Sequence, residues 1–186
     1  MRILPLPPRG EQTRAAFDAF VAAHTDGLLR TAYLITWDLA EAEDLVQECL
    51  LAVARRWPRV KAMDHPRAYA RRILVNLALD DAPRRTRRRR ELADDTTAGL
   101  IATPPDEADE AGARAFDDVD ARAELLQALS MLAPRQRAVL VLRYFEDLTE
   151  AQAAAALGCS VGTVKSTSAR ALARLSDVMT DKEHTR

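Results

Sequence analysis

Residues 149–166 read TEAQAAAALGCSVGTVKS, and this stretch decides the fold of the second half of the chain. Thr149 stands where it can cap a helix, with Gln152 three residues on, the spacing of a capping box. The helix runs to Leu157. Gly158 and Cys159 then make a tight turn, with Gly158 supplying the left-handed backbone that ends a helix at low cost. Ser160 caps a second helix over residues 161–175. The pattern is a helix-turn-helix, a motif whose second helix normally enters the major groove. At helical periodicity Val161, Val164, Ser168, Ala171, Leu172 and Leu175 face inward. Gly162, Thr163, Ser166, Thr167, Arg170 and Arg174 face outward, with Lys165 at the boundary. Small hydroxyl side chains with two arginines suit close approach to base edges and phosphates. The bland alternative is a plain helical hairpin with a solvated face. Upstream, residues 124–132 and 134–145 supply two supporting helices.

The first half reads as four helical stretches over residues 11–23, 25–36, 39–57 and 66–81. In the third, Ala42, Leu45, Val46, Cys49 and Val53 recur at i, i+3, i+4, i+7 and i+11, one buried stripe. Opposite it fall Asp44, Gln47, Glu48, Leu51 and Arg55. Leu51 therefore sits exposed in the middle of a polar face. A lone exposed Leu is ordinary, but one ringed by charged and amide groups has the make-up of a small protein interface. The fourth stretch opens with Pro66 at a favoured first-turn position, capped by Asp64 or His65. Its apolar residues Tyr69, Ile73, Leu74, Val75, Leu77 and Leu79 bury most of its circumference. Asn76 lies among them and needs a partner or a groove. Pro83 ends the helix.

Composition agrees with an all-α chain: Ala, Leu, Arg and Glu abound, while Gly numbers only 6 in 186 residues. The net charge of −1 hides strong segregation. Residues 1–54 carry 4 basic and 8 acidic side chains, and residues 55–90 carry 13 basic and 3 acidic, a local +10. Residues 91–120 carry 1 basic and 10 acidic, a local −9, and residues 121–186 carry 9 basic and 7 acidic. A basic block beside helices points to a polyanionic partner. The acidic block, with Pro104, Pro105 and Gly112 and little apolar periodicity, reads as a flexible linker. The expected organisation is a disordered N-terminus (1–10), a first helical domain (11–90), the linker (91–120) and a second domain (121–178). Cys49 and Cys159 match no metal spacing and read as reduced thiols. The prolines of the N-terminus interrupt any signal peptide, and no run approaches a membrane span, so a cytoplasmic protein is expected. The histidines are scattered and no Gly-rich phosphate loop appears. No catalytic constellation, metal or cofactor is expected.

Three runs carry a family resemblance: AEDLVQECLLAVARRW (42–57), PRAYARRILVNLALDD (66–81) and LAPRQRAVLVLRYFEDLTEAQAAAALGCSVGTVKS (132–166). Together they resemble the extracytoplasmic-function sigma factors of the sigma-70 family, the small two-domain class, over about three quarters of the chain. The resemblance implies a protein that binds core RNA polymerase and directs it to minus-ten and minus-thirty-five promoter elements. Asp44, Gln47, Glu48, Leu51 and Arg55 would face the polymerase. Val60, Lys61, Arg67, Tyr69, Arg71, Arg72, Asn76, Arg84 and Arg85 would serve the melted minus-ten element, with residues 58–65 holding a flipped-out base. Ser160, Thr163, Ser166, Thr167, Arg170 and Arg174 would serve the minus-thirty-five element, with Lys165 and Arg137 steadying phosphates. An anti-sigma factor is a further candidate partner, and the free chain is expected to be a monomer.

The sequence departs from the family pattern in places. Trp37 stands where many relatives have Gly in a tight turn, Thr167 replaces a common Arg or Gln, and Ala153 replaces a common Ile. A stand-alone helix-turn-helix regulator, the alternative reading, accounts for the second domain but leaves the Leu51 face unexplained.

Overall fold

Helix α1 (Arg9–Thr36) runs unbroken through the polar stretch around residue 24, where the sequence suggested two helices. The hydroxyls there do not compete with the helix. Thr25 Oγ1 donates to the Val21 carbonyl at 2.7 Å and Thr31 Oγ1 lies 2.9 Å from that of Gly27, the i−4 bonds a helix accommodates. Arg9 and Gly10, expected in a disordered terminus, open this helix. The structure, a computed structural model, describes residues 9–80 and 119–183, with side chains described for residues 13–80 and 125–179. The acidic segment 91–120 therefore lies outside the described residues apart from its last two positions, and the basic tract 84–90 and residues 1–8 lie outside them entirely.

Trp37 ends α1 with φ of 62°, so the corner keeps the left-handed turn even without glycine. That backbone costs an L-residue about 1–2 kcal/mol. The side chain offsets it: the ring stacks on Tyr33 at 5.5 Å and packs against both apolar clusters of the molecule. Asp38 then caps α2 (Leu39–Arg55), accepting from the Glu41 amide at 3.1 Å. A one-turn helix, α3 (Trp57–Val60), follows. Trp57 meets Phe17 and Phe20 at ring distances of 5.3 and 5.2 Å and donates its indole N–H to the Thr13 carbonyl. In α4 (Pro66–Asp80) the first turn is closed through the His65 carbonyl, which accepts from Ala68 and Tyr69.

The second half comprises α5 (Val119–Ser130), α6 (Pro134–Leu140), α7 (Glu150–Leu157) and α8 (Val161–Glu183). The expected helix over 134–145 changes character at Val141. Residues Val141–Phe145 form a π turn, with the Glu146 amide bonded to the Val141 carbonyl. This wider turn leaves Tyr144 and Phe145 exposed while Glu146 turns back against α1 and α4. Asp147, with φ of 47°, completes the reversal.

All described elements are helical, and the two halves share a core. Ala138, Val139, Val141, Leu142, Ala153 and Leu157 join the cluster formed by α1, α2 and α4. A smaller cluster of Leu129, Leu132, Leu140 and Ala171 ties α5, α6 and α8 to Trp37.

At this junction Arg137, expected from the sequence to steady a phosphate, is held inside the closed chain. Its side chain is buried, and Nε donates to the Ile35 carbonyl at 2.7 Å while Nη1 donates to the Ser130 carbonyl at 3.1 Å. These carbonyls belong to the last turns of α1 and α5, where helices leave acceptors unsatisfied and favour a cation. Arg137→Ala should lower the unfolding free energy in urea by about 2–4 kcal/mol. An effect within ~0.5 kcal/mol, typical of surface positions, would return Arg137 to a solvent-facing role.

Candidate nucleic-acid and protein interfaces

The amphipathic geometry of α2 is the one its spacing dictates. Ala42, Leu45, Val46, Cys49 and Val53 are all buried, and Asp44, Gln47, Glu48, Leu51 and Arg55 are all exposed. Leu51 is 58% exposed, more than any other large apolar residue described. Nothing among the described residues covers it. A large apolar side chain held open within a charged ring is a surface built to be covered by something else.

The corner between α3 and α4 presents a second surface, with one correction. Residues 58–65 are exposed except Val60, which is wholly buried. Val60 lies three residues after Trp57 on the same face of the short helix, so both turn into the core; it is not a base contact. Lys61 is exposed, its ammonium 3.5 Å from Thr13 Oγ1. Tyr69 is half-buried, and its hydroxyl accepts from Arg56 at 3.1 Å, which fixes the ring at the rim. Arg72 and Asn76 stand one turn apart on the open face of α4. Asn76 is thus exposed and needs no buried partner: Ala70, Leu74, Val75 and Ala78 are buried in the core, and Tyr69, Ile73, Leu77 and Leu79 pack against it. Arg84 and Arg85 lie outside the described residues.

Arg67 and Arg71 are already engaged. Arg67 Nη2 donates to Glu146 Oε2 at 3.0 Å, and Arg71 Nη1 lies 3.3 Å from the same oxygen. The second contact is an ion pair without hydrogen-bond alignment, since that nitrogen is buried with no hydrogen-bond partner. Burial first holds the Arg71 pKa below the ordinary guanidinium value; Glu146 opposes this and Arg67 adds to it. An arginine keeps its proton regardless, so burial here makes an anionic partner such as Glu146 favourable. Thr31 Oγ1, 2.6 Å from Glu146 Oε1, completes the cradle; the helical periodicity of α1 gave no reason to single it out.

The helix-turn-helix forms as its caps require. Thr149 and Gln152 make the reciprocal capping box, and Gly158 takes φ of 62°. Ser160 Oγ accepts from the Thr163 amide at 3.1 Å and lies 2.9 Å from its hydroxyl. Gly162, Lys165, Ser166, Arg170 and Arg174 are exposed along α8, and Thr163 is half-buried. Arg170 Nε donates to the Ser166 carbonyl, which fixes the root of an exposed guanidinium. Lys165 pairs with Glu150 at 3.5 Å on an open surface, a contact worth little by itself.

The inward line is narrower than the periodicity suggested. Val164, Thr167 and Ala171 are buried, whereas Val161 and Leu172 are 39% and 41% exposed. Helix α8 packs on α5, α6 and α7, and α7 offers mainly alanines, among them the wholly buried Ala153. Thr167 falls on the inward line and is not an outward reader.

Among the described residues no three His, Cys, Asp or Glu side chains group to hold a metal, and no helix is long and apolar enough to cross a membrane. Cys49 is buried, its thiol donating to the Ala70 carbonyl at 3.2 Å. Burial pushes its pKa up to about 12, against a smaller opposing effect of a backbone hydrogen bond at Leu74.

Comparison with known proteins adds the following. The family described as Sigma-70 region 2 matches residues 20–91, and Sigma-70, region 4, matches residues 122–175. The RNA polymerase sigma-E factor of Streptomyces coelicolor is 38% identical over 167 residues, covering 90% of this chain and 88% of that one. The ECF RNA polymerase sigma factor SigE of Mycolicibacterium smegmatis is 31% identical over 164 residues, covering 88% of this chain and 62% of that one. Among solved structures, the sigma factor RpoE of Bartonella quintana, crystallised with the anti-sigma factor NepR, superposes with a TM-score of 0.64 at 24% identity. It covers 89% of this chain and 97% of that one, a likeness of fold.

The two thiols give a direct test of the burial described. A thiol reagent at neutral pH should modify Cys159 in the folded chain and reach Cys49 only on unfolding. The raised pKa sets the alkaline behaviour: the neutral Cys49 thiol contributes stability fully below the ordinary 9.0, and this is lost as pH climbs towards about 12. Equal labelling rates for both cysteines in the native chain would contradict the packing of α2 on α4.

Proposed function

The chain belongs to the extracytoplasmic-function sigma factors of the sigma-70 family, whose function is to direct RNA polymerase in transcription initiation; from that premise we propose how its surfaces divide the work. The α2 face of Asp44, Gln47, Glu48, Leu51 and Arg55 docks on core polymerase. Lys61, Tyr69, Arg72 and Asn76, with Arg67 and Arg71, serve the melted minus-ten element. The face of α8 that carries Thr163, Ser166, Arg170 and Arg174, with Ser160 and Lys165 beside it, reads the minus-thirty-five element. Residues 11–90 and 121–178 act as the two functional domains, and 91–120 as the tether between them. The protein works in the cytoplasm as a binding factor without catalysis of its own. An anti-sigma factor, of the kind seen with the Bartonella quintana neighbour, is a candidate regulator.

The observation that carries this reading is the open Leu51. A stand-alone regulator has no use for an open apolar centre on a helix other than its reading helix, whereas a subunit that must dock on a larger enzyme does. A central Leu in a desolvated contact contributes on the scale of an interface hot spot.

Two measurements test the assignment. Leu51→Ala should weaken core-polymerase binding by about 1–3 kcal/mol in a titration and leave the thermal midpoint nearly unchanged. Equal affinity for mutant and parent would remove the α2 face from the polymerase interface. On α8, Arg170→Ala should relax preference at one upstream promoter position, at about 1–3 kcal/mol of discrimination. Thr167→Val, which keeps the buried shape, should leave that preference intact. A Thr167→Val profile shifted as far as that of Arg170→Ala would put Thr167 back in the groove.

A further inference from the structure

Glu146 stands outside every surface assigned above, yet it is the most heavily engaged carboxylate in the described structure. Its side chain is 11% exposed and receives three groups from the other half of the chain. Oε2 faces Arg67 at 3.0 Å and Arg71 at 3.3 Å, while Oε1 accepts from Thr31 at 2.6 Å. The arginines come from α4 and the threonine from α1. The carboxylate arrives on the π turn that ends α6. Two features mark the cradle as a site rather than an ordinary surface pair. Arg71 is itself largely buried, with a guanidinium nitrogen that lacks a hydrogen bond even while Glu146 is present. The donors also converge on two oxygens of a single anion, an arrangement that any group with two geminal oxygens and a negative charge can fill.

We propose that Thr31, Arg67 and Arg71 form an anion-binding site for one backbone phosphate of promoter DNA, and that Glu146 occupies it as an internal stand-in while the chain is closed. The inference rests on the reading of α4 as a promoter-facing helix. A phosphodiester offers two non-bridging oxygens, one for the arginine pair and one for the threonine hydroxyl, and it carries the same single negative charge as the carboxylate it would replace. The closed arrangement cannot be the reading state. A compact body of about 140 residues has a radius of gyration near 14 Å, whereas elements two helical turns apart on DNA are separated by ~70 Å. Opening moves α6 and its π turn away, withdraws Glu146 and frees the site at the moment DNA is to be bound. Meanwhile the Leu51 face stays exposed in the closed chain. Polymerase can therefore dock first, and the phosphate site becomes available as the halves part.

The test uses the full chain and a fluorescein-labelled, mixed-sequence single-stranded oligodeoxynucleotide, titrated from low to moderate salt. Glu146→Gln keeps the size of the side chain and removes its charge. It should bind the oligonucleotide about tenfold more tightly at low salt, and the slope of log affinity against log salt should steepen by about 0.7, the value for one more phosphate on a single strand. In the Glu146→Gln background, Arg71→Gln should abolish both gains, and Thr31→Val, which preserves shape, should remove part of the affinity gain. In the holoenzyme with core polymerase, where the chain is already open, Glu146→Gln should bring no gain. Thermal unfolding of each variant confirms that it is folded. Unchanged affinity and slope in Glu146→Gln would overturn the proposal. So would a gain that survives both Arg71→Gln and Thr31→Val, because the site would then lie elsewhere. The parent reading is checked apart from it: Arg72→Gln and Asn76→Ala holoenzymes with undiminished promoter opening would remove α4 from the promoter whatever Glu146→Gln does.

Discussion

A charged guanidinium removed from water must be met by acceptors on every side, and Arg137 meets that demand with the carbonyl ends of two helices. Ile35 closes α1, and Leu129 and Ser130 close α5, so one side chain reaches carbonyls at the ends of both helices. The buried cation would be left without acceptors if these helix ends moved away. The contact joins segments 102 residues apart in sequence. It seats α6 against α1, which lets Val139, Val141 and Leu142 enter the first half's core and presents the π turn to α4.

From that placement the surfaces sort themselves. The docking face of α2 and the reading face of α8 both point to solvent, because neither lies on the line where the halves meet. The start of α4 does lie there, so Arg67 and Arg71 meet Glu146 instead of solvent. Arg72 and Asn76, on the other face of the same helix, remain open. A single helix thus carries one basic edge that is free and another that is held.

Local chemistry was legible wherever neighbours in sequence are neighbours in space. The stripe on α2 and the isolated Leu51 follow from 3.6-residue periodicity. The helix-turn-helix follows from Thr149, Gln152, Gly158 and Ser160, each acting within a few residues of itself. The family motifs likewise name the two DNA-facing regions. Misreadings came where side-chain identity suggested one environment and packing supplied another. Val60 sits in a polar loop and turns into the core because Trp57 anchors its face. Thr167 has a groove-reading side chain but is buried on the inward line of α8 with Val164 and Ala171. The polar centre of α1 looked like a break, yet the Thr25 hydroxyl closes onto its own helix.

By itself, then, the sequence determined the helices, their caps, the amphipathic face of α2, the segregation of charge and the family. These depend on contacts within one or two turns, which residue order specifies directly. Only the tertiary structure decided that Arg137 is a buried clasp, that Trp37 can hold a left-handed corner by stacking on Tyr33, and that Glu146 sits between Arg67, Arg71 and Thr31. Those outcomes depend on groups about a hundred residues apart in the chain, or, for Trp37, on a ring that reaches two separate clusters. Such long-range partners are chosen by the shape and desolvation of the junction, quantities that no local pattern of residues encodes.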